Sequence, residues 1–344
     1  MPLCAMLSEL VLYRFFDGRC GNAQLFRIKS EAEMKYNVFI DGREGTTGLQ
    51  IYERLEKRPD INIIALPEEQ RKDVSARRQC INSSDITFLC LPDDAARQSV
   101  SLIESDRVRV IDASTAHRTA EGWVYGLPEI SPERKGQIEK AKRVANPGCH
   151  ATGFITLVAP LVKGGILGAD YPLTAHSVTG YSGGGKNMIA EYEAKERSAA
   201  LFSPRQYGLT LAHKHIPEMV KECCLAHAPI FNPIVADFYC GMCVTVPLYR
   251  KLLLKKYGAD DIREYFTEYY ASHNFIKVAQ KDEISSYLPA NELAGTNMLK
   301  IYVTGNDDMI NMCSVFDNLG KGASGAAVQN MNIMLGLDET FSLI

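Results

Sequence analysis

Val38-Phe39-Ile40-Asp41-Gly42-Arg43-Glu44-Gly45-Thr46-Thr47-Gly48 decides the fold. The apolar residues before Asp41 read as a short strand, and Leu49-Gln50-Ile51-Tyr52-Glu53-Arg54-Leu55 after the glycines reads as a helix. Glycines at three-residue intervals between a strand and a helix let backbone approach a pyrophosphate at the helix N-terminus. Gly42, Gly45, Thr46, Thr47 and Gly48 are therefore candidate dinucleotide contacts. The spacing is G-x-x-G-x-x-G rather than G-x-G-x-x-G, so a plain glycine turn is the alternative and the context must decide.

The context is an alternation of strand and helix. Ile61 to Leu66 reads as a second strand, followed by a charged helix from about Glu68 to Gln79. Ile86 to Leu91 reads as a third, closed by Pro92, with Asp93 and Asp94 capping a helix through Ile103. Val108 to Asp112 is a fourth. Short apolar strands separated by helices imply parallel βαβ units, hence a Rossmann-type sheet covered on both faces. Ligands of such sheets collect at the carboxyl ends of strands, which places Gly42, Pro92, Ser114 and Cys149 along one edge. The second strand ends Ala65-Leu66-Pro67 without a carboxylate for ribose hydroxyls, and Arg71 and Lys72 lie nearby. That pattern favours NADP over NAD; the alternative has Glu68 or Glu69 holding the ribose.

Asn146-Pro147-Gly148-Cys149-His150-Ala151-Thr152-Gly153 sets a cysteine at a turn before a helical run through Val162. A thiol at a helix N-terminus has its thiolate favoured by the dipole and by unpaired N–H groups, so the expected pKa lies below the usual thiol range. A small buried residue at a tight turn is the bland alternative. A nucleotide-binding turn in the same chain favours the nucleophile, and the pair points to a dehydrogenase working through a thioester.

Beyond Cys149 the pattern changes. Pro172 to Thr179 and Pro233 to Val246 read as longer strands, Asp260 to Ser272 as an amphipathic helix, and Leu299 to Thr304 and Met309 to Phe316 as further strands. Fewer helices per strand predict a separate α+β domain with a mostly antiparallel sheet. Gly180-Tyr181-Ser182-Gly183-Gly184-Gly185-Lys186 is a glycine-dense loop ending in a cation, suited to phosphate if it is not simply a surface loop. His213-Lys214-His215-Ile216-Pro217-Glu218 holds two of the seven histidines; on a strand they would face one side. A metal would need a third ligand with suitable spacing, and none accompanies them, so His215 is the candidate general acid–base. Cys240 and Cys243 have a redox or metal spacing without a second pair and read as core.

Composition agrees. The 344 residues suffice for two domains, and a net charge of −3 gives no bias toward nucleic acid or an anionic membrane. No apolar run approaches the roughly 20 residues that span a bilayer. Ten cysteines without a regular framework suit a reducing cytoplasm. Residues 1–33 fall outside the pattern and lack a basic leader; they are expected to be an extension, with translation beginning at Met34.

From about Asn37 to Leu335 the chain resembles the N-acetyl-γ-glutamyl-phosphate reductases in their shorter form. The resemblance rests on the Phe39 to Gly48 turn, Cys90-Leu91-Pro92-Asp93-Asp94, Asp112-Ala113-Ser114-Thr115-Ala116-His117-Arg118 and Tyr125-Gly126-Leu127-Pro128-Glu129. The Asn146 to Gly153 and His213 to Glu218 segments follow, then Asp317-Asn318-Leu319-Gly320-Lys321-Gly322-Ala323-Ser324-Gly325. His150 departs from the pattern, since the family usually carries an aromatic residue after the cysteine.

The resemblance implies that Cys149 attacks the acyl phosphate of N-acetyl-L-glutamyl 5-phosphate and that the thioester is reduced with NADPH to the 5-semialdehyde, a step of arginine biosynthesis. His215 matches the histidine that assists proton transfer, and the Cys149 N–H is the expected oxyanion donor. Ser114, Arg118 and Lys186 are expected substrate anchors, and Pro92, Asn318 and Gly322 cofactor-side positions. The segment from Gly320 should return to the first domain, giving a cofactor domain of 34–148 with 318–336 and a catalytic and oligomerisation domain of 149–317. A homodimer or homotetramer pairing through second-domain sheets is implied as well. Two other readings stay open: a related acyl phosphate (aspartyl or carrier-bound aminoadipyl) as substrate, or a nucleotide-sensing regulator without turnover.

Overall fold

The computed structural model describes residues 35–343. Strands β1 (Tyr36–Asp41), β2 (Ile61–Ile64), β3 (Ile86–Leu89), β4 (Arg109–Asp112), β5 (Val124–Tyr125) and β6 (Arg143–Ala145) form a sheet in the order β2-β1-β3-β4-β6-β5. Every neighbouring pair in it is parallel, with Val38 opposite Ile63 and Ile86. Helices α1 (Thr46–Leu55), α2 (Val74–Ser83), α3 (Asp93–Ser101) and α4 (Arg134–Lys140) lie between the strands in sequence.

A long helix, α5 (Cys149–Lys163), leads into the second half of the chain. There follow β7 (Thr174–Gly180), α6 (Gly185–Glu193), β8 (Arg205–Gln206), α7 (Ile216–Cys223), β9 (Ile230–Ala236) and β10 (Met242–Tyr249). Next come α8 (Ala259–Tyr269), β11 (Ile276–Val278), β12 (Leu299–Gly305), β13 (Met309–Phe316) and α9 (Gly325–Met334). The second sheet has the order β11-β12-β13-β10-β7-β9-β8. Its pairs are antiparallel except β11–β12 and β7–β9, so the mostly antiparallel expectation holds.

Alternation along β1 explains why its strand is continuously apolar. Val38 and Ile40 join a cluster with Ile51 and Leu55 of α1 and with Val328 and Met331 of α9. Phe39, pointing the other way, packs with Ile81 of α2 and Ala96 of α3. The chain's last helix thus packs on the first sheet. Helix α5 is buried from His150 to Leu161 and joins Val244, Val246, Met312 and Phe316 of the second sheet in the largest apolar cluster.

Several boundaries differ from the expectations. Strand β2 stops at Ile64, where β1, its only partner among the described residues, ends the register at Phe39. The helix expected from Glu68 is a short 3-10 turn, Glu68–Gln70, and α2 starts at Val74 because the Asp73 carboxylate accepts from the N–H groups of Ser75 and Ala76. The Pro233–Val246 run is two strands, β9 and β10, with β7 lying between them in the sheet. His213 and His215 sit not on a strand but in the turn entering α7. No helix among the described residues is long and apolar enough to cross a membrane. The expectation for residues 1–33 and a start at Met34 lies outside the described residues.

Candidate active site

The carboxyl ends of β1, β3, β4 and β6 open onto a cleft of about 490 Å³. Gly45, Thr46 and Thr47 of the first turn line it, together with Cys90 and Leu91 after β3 and Ala113 after β4. Gly42 has φ +88°, and a Cβ there would lie 2.3 Å from the carbonyl oxygen of Cys90, so only glycine lets the turn pass this close to β3. Gly48 sits behind the turn, packed on the Gly42 carbonyl. A second lobe of about 460 Å³ shares Gly45, Cys90 and Leu91 as walls and extends over Ile63–Leu66 to Glu68, Arg71 and Lys72. Arg71 is paired with Glu68 at 3.1 Å.

Cys149 is the first residue of α5, with Gly148 as its N-cap. Burial is the largest influence on the thiol and pushes its pKa up to about 11; Arg118 and the peptide N–H of His150 pull the other way. The expected lowering at the helix N-terminus is thus outweighed, because the low dielectric penalises the thiolate more than the dipole and cation favour it. A resting thiol therefore needs a base.

A candidate for it, His215, stands close by. A Cβ on Gly148 would meet Arg118 Nη1 at 2.5 Å, Glu218 Oε1 at 2.6 Å and His215 Nε2 at 2.6 Å, so three side chains converge on the residue before the cysteine. His215 is buried, and its Nδ1 has no hydrogen-bond partner among the described residues. Burial, reinforced by Arg118 and the neighbouring histidines, holds it well below the usual histidine range, so the imidazole is neutral at pH 7. His213 Nδ1 accepts from the His215 peptide N–H at 3.2 Å, and burial pushes its own pKa down to about 4.

Arg118 enters the cleft wall but is largely engaged. Its Nη1 donates to Glu218 Oε1 at 2.7 Å and its Nε to the Asn146 carbonyl at 3.0 Å. The other Glu218 oxygen accepts from Tyr125 Oη at 2.6 Å and from the Gly148 N–H at 3.1 Å. This clamp fixes the turn that presents Cys149. Glu218 was visible as part of the His213–Glu218 segment, three residues after His215, but nothing local tells that it grips Arg118, a hundred residues earlier.

The opposite wall is formed by Asn318, Leu319, Gly322 and Ala323 around a π-turn at Gly320–Ser324. The Asn318 amide donates to Ser182 Oγ at 3.0 Å and accepts from the Gly241 N–H at 2.8 Å. Lys321, in the same segment, points away: it is fully buried, with Nζ 2.6 Å from both Glu129 Oε1 and Gln329 Oε1.

Three expected contacts are placed elsewhere. The Ser114 hydroxyl donates to Asp112 Oδ2 at 2.8 Å and accepts from the Ala116 N–H, and Ser114 does not line the cleft. Pro92 caps α3 beside Leu91, outside both lobes. Gly183, Gly184 and Gly185 line the cleft, but Lys186, in the first turn of α6, does not; the lysine that does is Lys214, between the two histidines. Tyr207 and His150 complete this side of the wall, and no single-residue signal in the sequence pointed to Tyr207.

Comparisons with known proteins bear on the family and the fold. A family model described as the NAD-binding domain of semialdehyde dehydrogenases matches residues 37–138, and one for their dimerisation domain matches residues 149–318. N-acetyl-gamma-glutamyl-phosphate reductase 2 of a Nostoc species is 46% identical over 320 residues, covering 90% of this chain and 99% of that protein. N-acetyl-gamma-glutamyl-phosphate reductase of a Chelativorans species is 48% identical over 308 residues, covering 88% and 99%. Among solved structures, aspartate semialdehyde dehydrogenase from Francisella tularensis superimposes with a TM-score of 0.66 at 14% identity, covering 87% of this chain and 100% of that one, which shows a shared fold.

Proposed function

The chain belongs to the N-acetyl-gamma-glutamyl-phosphate reductases of the semialdehyde dehydrogenase family, and we infer that it reduces N-acetyl-L-glutamyl 5-phosphate to N-acetyl-L-glutamate 5-semialdehyde and phosphate in arginine biosynthesis. The observation that carries the reading is the convergence of His215 Nε2 and the Arg118 guanidinium on Gly148, directly before the helix-leading Cys149.

The chemistry follows from that geometry. Cys149 Sγ attacks the acyl carbon, the bond from that carbon to the phosphate oxygen breaks, and phosphate departs, leaving a thioester. Since burial keeps the thiol protonated and the imidazole neutral, His215 takes the thiol proton as the S–C bond forms. The Gly148 N–H is engaged by Glu218, which leaves the Cys149 N–H at the head of α5 as the oxyanion donor. After reduction of the thioester, His215 returns a proton to the departing sulfur. Lys214 is the cation that meets the substrate's anionic groups, helped by the N–H groups of Arg118 not taken by Glu218, Asn146 and Ala113, in place of the expected Ser114 and Lys186.

The residues fit a nicotinamide dinucleotide. Gly42 lets the turn pass close to β3, and the Gly45 N–H closes that turn on the Gly42 carbonyl at 3.0 Å. Thr46 and Thr47 put their peptide N–H groups at the start of α1, and two lobes meet there for two nucleotide halves. Asn318 and Gly322, which line the cleft with Cys149, would hold the nicotinamide end. When bound, that group supplies the hydride. NADP is the proposed form, because Arg71 and Lys72 border the second lobe where a 2′-phosphate would lie, although Arg71 is shared with Glu68.

The proposed organisation is a cofactor domain of 34–148 with 318–336 and a catalytic domain of 149–317, assembled as a homodimer or homotetramer through the outer face of the second sheet. Ile230, Tyr249 and Met309 are half exposed on that face. A reducing cytoplasm suits the eight free cysteines of the described residues.

The test is the reverse reaction. The protein is mixed with N-acetyl-L-glutamate semialdehyde, phosphate and NADP⁺, with Cys149→Ser in parallel. Phosphate-dependent formation of reduced cofactor, absent in the variant, is expected. Wild-type turnover in Cys149→Ser would remove the thioester mechanism, and turnover only with aspartate semialdehyde would move the substrate.

A further inference from the structure

Beside the nucleophile lies a chain of hydrogen bonds that the mechanism above does not use. His150, the second residue of α5, is buried with Nδ1 2.7 Å from Ser177 Oγ on β7 and Nε2 2.7 Å from Tyr207 Oη. Ser177 is fully buried and Tyr207 lines the cleft. Burial pushes the His150 pKa down to about 3, so the ring is neutral and carries a single N–H.

Where that proton sits decides what Tyr207 offers. The Ser177 hydroxyl makes its one side-chain hydrogen bond among the described residues to His150. If Nδ1 carried the proton and donated to Ser177 Oγ, the buried Ser177 O–H would be left without an acceptor, a costly arrangement. With Ser177 donating to Nδ1 instead, the ring proton lies on Nε2 and donates to Tyr207 Oη. The Tyr207 O–H is then released from His150 and turned toward the cleft as a donor. In the opposite tautomer Tyr207 would donate to the ring and present only lone pairs.

We propose that His150 is a positioning residue: through the relay Ser177–His150–Tyr207 it holds the Tyr207 hydroxyl as a hydrogen-bond donor to an anionic oxygen of the bound substrate. The inference rests on the acyl-phosphate reading of the site. The recipient is a substrate phosphate or carboxylate oxygen, two sources of one chemistry. A lone-pair-presenting tyrosine would repel either, so the polarity of the relay, rather than its mere presence, sets affinity.

The experiment is a double-mutant cycle in the reverse assay, with Michaelis constants for semialdehyde and phosphate measured separately. His150→Leu and Tyr207→Phe are each expected to raise one of these constants about tenfold or more, with kcat changed by less than about threefold, as for loss of a hydrogen bond to a charged group. A rise for phosphate identifies the phosphate oxygen, and a rise for semialdehyde the carboxylate; both support the proposal. The double variant is expected to be no worse than Tyr207→Phe alone. His150→Gln, whose amide N–H reaches the place of Nε2, is expected to recover most of the loss.

Unchanged Michaelis constants in His150→Leu, or additive effects in the double variant, would overturn the relay. So would failure of His150→Gln to rescue while NADP⁺ affinity stays normal. Should His150→Leu not fold, Ser177→Ala replaces it in the cycle: it frees the tautomer, and its effect, about two- to fivefold, must vanish in the Tyr207→Phe background. Failure of the functional reading shows differently, as turnover retained by Cys149→Ser.

Discussion

Gly322 and Cys149 are in near contact across the cleft: a Cβ on Gly322 would lie 2.9 Å from the Cβ of Cys149. The π-turn therefore approaches Cys149 more closely than any side chain allows, and the extra turn residue serves to bring backbone there. Gly322→Ala is expected to fold but to lose kcat by at least about tenfold, since displacements of an ångström at the reacting atoms cost rates of that order or more. Steady-state kinetics beside a thermal melt check this; normal kcat would mean that the turn yields without moving Cys149.

If His215 is the base, as proposed, its neutral imidazole will set the acid side of the pH profile. Its pKa is held well below the usual 6.5, and the base form is the one present above that pKa. Activity should accordingly persist below pH 6.5 and fall only as the imidazole is charged. His215→Asn should lower kcat by about 10²–10⁴ with little change in substrate affinity. An acid limb centred at or above pH 6.5 in kcat/KM would contradict the buried neutral imidazole.

The same burial makes stability pH-dependent. His150 and His215 resist protonation in the folded chain but accept it on unfolding, so their folded pKa values are depressed and stability is lost as pH falls below 6.5. Each contributes a slope of about 1.4 kcal/mol per pH unit between the unfolded and folded values. Urea unfolding at several pH values between 7 and 5 reads this directly; His150→Gln should lessen the slope by about one proton.

Glu218 is the least replaceable charge near the site. It is buried with Arg118 and also receives the Tyr125 hydroxyl and the Gly148 N–H. Glu218→Gln leaves Arg118 charged and uncompensated, and about 3–5 kcal/mol of stability should disappear. Denaturant unfolding of the variant is the measurement, and a loss under 1 kcal/mol would show that Arg118 finds water or another partner.

Lys72 tests the cofactor. It borders the second lobe, and its side chain forms no ion pair among the described residues, whereas Arg71 is tied to Glu68. Lys72→Ala should raise the Michaelis constant for NADP⁺ about tenfold and leave that for NAD⁺ unchanged. Equal effects on both cofactors would place the 2′-phosphate elsewhere.

Local pattern made part of this legible. The first four strands of the parallel sheet were readable because each is a short, largely apolar run bounded by turn residues, whereas β5 and β6, of two and three residues, are too short to carry a pattern. The helix start at Cys149 was readable because a Pro-Gly turn precedes a helical run. Ser114 and Lys186 lie off the cleft for a physical reason: position on an edge or in a glycine loop says nothing about which way a side chain is held. Asp112, two residues before Ser114, accepts its hydroxyl, and α6 begins early enough to carry Lys186 off the cleft. Lys321, inside the segment of the expected cofactor-side positions Asn318 and Gly322, is drawn into the interior by Glu129, 192 residues away. Such pairings between distant segments leave no trace in local spacing, and Arg118–Glu218 escaped notice for the same cause.

Helix α7 carries His215 at its start and Glu218 one turn on, so the proposed proton acceptor and the anchor of the cysteine's own turn belong to one element. A shift of that helix cannot change the base-to-sulfur spacing alone; it must drag Gly148, through Glu218, in the same direction. The reactive pair is thereby buffered against small motions between the two sheets. Anyone redesigning the site for a bulkier acyl group would have to relocate both partners together.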